Sequence, residues 1–452
     1  MSPSSFEKVY ILDTNIILSD VVNVEILSQK SSNLIVIPET VMDELDVKKS
    51  GFSEINYQAR SFGRLLEKAD ILSVRQEDGY VISRMYINGE KNITVDVVSL
   101  MNYPNLDKMD SHIINDRKIL EVAIKAKQIY QEDVVFISND VMCRLRAISL
   151  GLTTEPFGVN NEVSIDLYAE LKIEDIGLEE FPENLEAPKG VGATVHGLCL
   201  YSDTGNRKYY YRSGLLFYQI QEGELIKQNI KPMNAEQKIL SSLMLDPYYD
   251  LVVVEAPAGT GKTSLALSAA MKLIDAKMSP YDKIIYIRKT IISSDIDLGF
   301  MKGSLEEKMS GYLAPLYSTL EAIALTKYGK KKLSKEEIEV KTADIIKDYN
   351  ISALWQGHLR GATIRNAVVI YDEASNDSVS DIRTTLTRCG ENCKVFVVGS
   401  LKQIDNKYVN KFNSGLTYLL NKIAEDCEVK IAGMILTKTV RSRIAEWADK
   451  FK

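Results

Sequence analysis

The chain has 452 residues, 45% hydrophobic and 26% charged, with a formal net charge of −7. That length predicts two or three soluble domains, and no 18-residue apolar run is present to serve as a membrane-spanning helix. Five scattered cysteines without a Cys-x-x-Cys pair, and only His112, His196 and His358 beside them, argue against a zinc site.

Reduced thiols in a cytoplasmic protein are the plain expectation, with no secretory leader in the first apolar stretch, residues 9–18. The charge is uneven. Residues 1–230 carry 23 Lys/Arg against 35 Asp/Glu, and residues 231–452 carry 32 against 27. The acidic half disfavours passive polyanion binding and suits a site that gathers carboxylates around cations.

Residues 1–160 alternate between strand and helix signals. A strand over 9–12 precedes Asp13, and a second, over 34–37, is closed by Pro38. Helices follow through Val41 and Leu45, over roughly 55–69, and over 111–128; a strand over 134–137 leads to Asp140. The pattern predicts a small α/β domain with a parallel sheet. Over 161–230, Pro and Gly punctuate short strand-like runs at 193–200, 208–211 and 215–220, which predicts a β-rich connector. Its Tyr209, Tyr210 and Tyr211, with Arg212, would either stack on bases or pack inside a hairpin, the plainer reading. Residues 231–452 form the third expected domain. Within it, 323–350 reads as a charged helical excursion capped at Ser334, carrying Lys330, Lys331 and Lys332.

The most specific chemistry lies at 251–264, LVVVEAPAGTGKTS. A valine-rich strand, a Gly-rich turn and a helix opening on Gly261-Lys262-Thr263 make a phosphate-binding loop. Backbone N–H groups of Gly259, Thr260, Gly261 and Ser264 would face the phosphates of ATP, Lys262 would reach the β- and γ-phosphates, and Thr263 would hold Mg²⁺. Ala256 stands where the strict pattern has Gly. A second strand, AVVIYDEA, ends in Asp372, placed for Mg²⁺, and Glu373, placed to activate water. A third, 394–398, leads to Ser400 and Gln403, where a γ-phosphate sensor would sit.

In the first domain Asp13, Glu44, Asp116 and Asp140 fall where a parallel sheet gathers strand ends. Carboxylates without His or Cys select hard cations, Mg²⁺ or Mn²⁺, and two such ions support attack of water on a phosphodiester. Asp110 competes with Asp116 for the third place.

These stretches resemble a PIN-domain nuclease fused to a PhoH-type ATPase. The resemblance runs through LDTN, VIPETVMDELDVKK, NDRKILEVA and ISNDVMCRLRAISLGL, the last with Asp140 and Arg144. It continues through Asn234-Ala-Glu-Gln237, DLGFMKGSLEEKM and LRGATIRNA, and so covers nearly the whole chain. It implies a homo-hexameric ring of ATPase domains with PIN domains on one face and nucleotide between subunits. It also implies adenine recognition by Gln237, a finger role for Arg441, and single-stranded RNA as the substrate to be unwound and cut. Ala256, Lys302, Ala362 and Ser400 depart from the family's usual residues, Ala362 and Ser400 where ATPase rate or RNA coupling is set. The alternatives are an RNA-binding ATPase whose PIN domain only docks, an ATPase acting on proteins, and the same chemistry on DNA.

Overall fold

The computed structural model describes residues 6–50, 54–88, 92–101, 111–130, 132–158, 165–225, 228–288, 305–329, 333–354, 363–406, 408–425 and 428–440. The chain divides into two compact units, one of Met1–Asn160 with Lys407–Phe412, the other of Asn161–Asn406 with Asn413–Lys452. Residues 165–225 fall in the second unit.

The first unit runs β1 (Lys8–Leu12), α1 (Thr14–Ser19), α2 (Val22–Ser28), β2 (Leu34–Pro38), α3 (Glu39–Val47), α4 (Glu54–Leu66), β3 (Ala69–Glu77), β4 (Tyr80–Ile87), β5 (Ile93–Leu100), α5 (Ser111–Ile129), β6 (Asp133–Ile137), α6 (Val141–Ser149) and β7 (Thr153–Glu155). Its seven strands lie in the order β3-β4-β5-β2-β1-β6-β7. Strand β1 pairs in parallel with β2 and with β6. All five residues of β2 are buried, as a strand covered on both faces requires. The C-terminal ends of β1, β2 and β6 thus open on one sheet edge. The sheet is not wholly parallel: β4 runs antiparallel between β3 and β5. Helix α4 ends at Leu66, and Ala69, expected in the helix, begins β3.

The second unit begins with a five-stranded sheet of β8 (Tyr168–Lys172), β9 (Asn184–Glu186), β10 (Gly197–Tyr201), β11 (Arg207–Ser213) and β12 (Leu216–Gln219), ordered β8-β10-β11-β12-β9. Leu198, Leu200, Tyr210 and Phe217 form its core. Tyr210 is fully buried with its hydroxyl on the Pro182 carbonyl at 2.8 Å, and Tyr209 and Tyr211 pack on the neighbouring apolar cluster. The Arg212 guanidinium is buried, donates to the Ala193 carbonyl at 2.5 Å and lies 4.7 Å from the Phe217 ring centroid. The base-stacking alternative is corrected: Tyr210 is core, its two neighbours pack on a core, and Arg212 is occupied.

After α7 (Glu222–Leu225) and α8 (Ala235–Leu245) comes the main fold: β13 (Leu251–Glu255), α9 (Lys262–Ile274), β14 (Lys283–Arg288), α10 (Leu305–Tyr328), α11 (Lys335–Asp348), β15 (Ile351–Leu354), β16 (Ala367–Asp372), α12 (Val379–Leu386), β17 (Cys393–Gly399), α13 (Gly415–Lys422) and β18 (Ile431–Ile435). Ser334 caps α11 in a capping box with Glu337, as the sequence predicts. The six strands are all parallel, ordered β15-β14-β16-β17-β13-β18. Strand β17 separates β13 from β16, so its Gly399–Ser400 end lies between the Lys262 loop and the Asp372–Glu373 pair. No described helix is long and apolar enough to cross a membrane.

One buried cation braces this unit. Lys394, almost fully buried, donates to the carbonyls of Asp246 at 2.5 Å and Tyr249 at 2.6 Å, closing the turn between α8 and β13. Burial pushes its pKa down to about 8. Lys394→Met keeps the stem but leaves the Tyr249 carbonyl unmet and the Asp246 carbonyl with only the Tyr249 N–H at 3.4 Å, so the unfolding free energy should fall by about 2–3 kcal/mol. Urea unfolding of the two proteins checks this, and an unchanged midpoint contradicts it.

Candidate functional site

Strand β13 carries the chain into the loop at 256–261. Gly259 and Gly261 sit at φ 78° and 83°, where glycine is at home. A Cβ at Gly261 would come 3.2 Å from Gln237 Nε2. Ala256 is buried, keeps an ordinary negative φ, and donates its N–H to the Gly399 carbonyl at 2.9 Å, so alanine fits there. Thr260 is buried, with its hydroxyl on the Pro257 carbonyl at 2.9 Å. Helix α9 starts at Lys262 and aims its N-terminus at the loop.

Lys262 Nζ lies 3.9 Å from Glu373 Oε1, and the Thr263 hydroxyl donates to Asp372 Oδ2 at 3.1 Å. The phosphate loop and the Asp-Glu strand end, 109 residues apart in sequence, thus meet. Glu373 stands at φ 56°, a left-handed conformation that a non-glycine residue adopts rarely and often at functional sites. Burial, then the charge of Asp372, raises its pKa, against the pull of Lys262 and Arg288. A raised carboxylate is the better proton acceptor. The hydroxyl of Ser264 lies 3.5 Å from that of Thr319, so towards the loop Ser264 offers its backbone N–H.

In the first unit the four acids gather at one sheet edge. Asp13 follows β1 and caps α1, accepting from Thr14 N at 2.7 Å, from Asn15 Nδ2 at 2.5 Å and from Ser138 Oγ at 2.5 Å. Burial pushes its pKa up to about 7, with Asp116 and Glu44 adding to the rise. Glu44 accepts from the Thr14 hydroxyl and from Asn115 Nδ2 at 2.8 Å. Asp116 is ion-paired with Arg146; burial raises its pKa, Arg146 opposes this, and Asp140 and Glu44 reinforce it. Asp140 caps α6, accepting from Met142 N at 2.7 Å and Cys143 N at 3.2 Å. An all-oxygen set fits a hard divalent cation. Among the described residues, however, no three such groups are already drawn together around a cation position; Asp116 faces Arg146 and Asp140 faces its own helix.

Residues 229–451 match the family model for PhoH-like protein, and residues 10–157 match that for the PIN domain. The chain belongs to the PIN–PhoH fusion family. It is similar along its length to Protein PhoH2 of Bacillus subtilis (strain 168), 27% identical over 98% of this chain and 99% of that one. Protein PhoH2 of Thermobispora bispora is 28% identical over 97% of this chain and 95% of its own. The PhoH-like protein of Mycobacterium leprae is 31% identical over 43% of this chain and 51% of its own. Residues 229–451 are accordingly a PhoH-like P-loop domain of ATP-binding, hydrolase type, and residues 10–157 a PIN domain, a nuclease-type fold.

Several expected residues stand differently from expectation in these domains. Gln237 is buried, with Nε2 on the Thr260 carbonyl at 2.8 Å and Oε1 accepting from Met233 N at 2.6 Å. Its amide ties the phosphate loop to the start of α8. Gln403 is exposed and donates its backbone N–H to the Ser400 carbonyl at 3.0 Å, while the Ser400 hydroxyl is buried without a partner. Arg144 donates to the Ser138 carbonyl at 2.7 Å; Arg146, not singled out from sequence, is the cation that meets the acids. Arg441, Lys302, Ala362, Asp110, the lysines at 330–332 and most of 297–309 lie outside the described residues. Tyr286, Ser138, Asn15 and Asn115 also touch the two sites; none was singled out from sequence, although Asn15, Asn115 and Ser138 lie inside the stretches LDTN, NDRKILEVA and ISNDVMCRLRAISLGL.

Proposed function

We propose that the protein is an ATP-driven RNA-processing enzyme, unwinding or moving single-stranded RNA with the PhoH-like domain and cutting it with the PIN domain. The observation that carries the ATPase half is the Thr263–Asp372 contact beside Lys262 and Glu373, which supports a Mg²⁺ site there. Mg²⁺ there supplies charge neutralisation of the phosphates. Lys262 binds the β- and γ-phosphates, the N–H groups of 259–264 cradle them, and a carboxylate oxygen of Glu373 takes the proton of the attacking water. Gln403 senses the γ-phosphate, and Arg441 completes the neighbour's site in a homo-hexamer. In the PIN domain Asp13, Glu44, Asp116 and Asp140 hold Mg²⁺ or Mn²⁺, the ions supplying an activated water and charge stabilisation. A cytoplasmic location without membrane attachment completes the reading.

RNA-stimulated ATP hydrolysis tests it. Glu373→Gln should still bind ATP while turnover falls by about 10²-fold or more. Normal steady-state hydrolysis by that variant would place the base elsewhere, and hydrolysis indifferent to RNA would favour an ATPase acting on other partners. One observation favours a second reading, in which the PIN domain only docks RNA: Asp116 and Asp140 already have partners within the protein.

A further inference from the structure

Asp372 is buried at the end of β16 and its carboxylate is held by three donors. Oδ1 accepts from Glu373 N at 3.0 Å. Oδ2 accepts from the Thr263 hydroxyl at 3.1 Å and from the Tyr286 phenol at 2.6 Å. Thr263 and Glu373 belong to the machinery already described; Tyr286 does not.

The parallel register sets Tyr286 beside Ile370 and Arg288 beside Asp372. Registered residues share a face and alternate residues return to it, so Tyr286 and Asp372 lie on the same face, one pleat apart. That face packs under α9: Tyr286 and Ile370 join Leu265 and Ala269 in one apolar cluster. Packing accounts for the ring, and phenylalanine would fill the same space. It does not account for the hydroxyl, because a fully buried phenol is unfavourable unless an acceptor meets it. The acceptor is the oxygen that also faces Thr263.

We infer that Tyr286 is a positioning residue of the magnesium site, its phenol fixing Oδ2 of Asp372 towards Thr263. Partners of this kind orient a ligand without touching the ion, and their removal typically lowers metal affinity by about tenfold or more. The inference rests on the ATP-site reading proposed above.

The test is Mg²⁺ titration of fluorescent ATP-analogue binding to the full chain, wild type against Tyr286→Phe. Metal-free analogue affinity should stay within about twofold. The Mg²⁺ concentration for half-maximal gain in affinity should rise about tenfold. At saturating Mg²⁺, kcat should fall with KM nearly unchanged. Asp372→Asn alone should remove the gain, and adding Tyr286→Phe to it should change nothing more. A wild-type Mg²⁺ midpoint in Tyr286→Phe, or a further loss in the double variant, would overturn the inference while leaving the ATP site standing. Absence of any Mg²⁺-dependent gain in the wild type would overturn the site reading and the inference together.

Discussion

Lys262→Ala should reduce ATP turnover by on the order of 10³-fold while leaving the fold intact. The side chain is buried at the start of α9, with Nζ 3.9 Å from Glu373. In the proposed ATP site it is the ammonium that meets phosphate charge, and it also lowers the proton affinity of Glu373. Its loss removes a phosphate contact and raises the pKa of the base further. Steady-state hydrolysis with circular dichroism and a thermal melt checks the expectation. Lys262→Met, which keeps the stem, guards against an effect of packing alone. Full turnover by either variant would sink the assignment.

The second large effect is in the PIN domain and is visible in stability as well as activity. Asp13 is buried with its pKa pushed up to about 7, against a usual value near 3.8. A group whose folded pKa is raised favours the folded state below its unfolded pKa, and that advantage is lost as pH rises through the folded value. The window here runs from about pH 4 to pH 7, and its full span is on the order of 4 kcal/mol. In chelator, Asp13→Asn should therefore melt higher than wild type at pH 8 and show little or no gain at pH 5. Part of the gain is offset, because an amide meets the donors Asn15 Nδ2 and Ser138 Oγ less well than a carboxylate does. The same difference at both pH values would show that Asp13 is not held in a strained charged state.

Much of this was legible because parallel strands covered on both faces read as unbroken apolar runs, and their C-terminal ends carry the chemistry. Asp13, Asp140, Lys262 and Asp372 could be placed from that pattern alone. Strand β3 escaped because it is exposed along almost its whole length and carries no buried face for alternation to mark. Tyr286 escaped because a tyrosine within a β-branched run reads as packing; only the parallel register brings its hydroxyl to Asp372. Arg144 and Arg146 lie two apart on α6, and sequence does not say which points at the acids. Gln237 lies on α8 with its amide nitrogen on the carbonyl of Thr260, a contact that no motif records.

The most direct test of the central claim is cleavage of a labelled single-stranded RNA by the purified full chain with Mn²⁺ or Mg²⁺, with and without ATP, wild type beside Asp13→Asn. Metal-dependent cleavage by the wild type that disappears in Asp13→Asn is the result predicted. No cleavage by the wild type with either metal, or equal cleavage by both proteins, would contradict a nuclease site at Asp13, Glu44, Asp116 and Asp140.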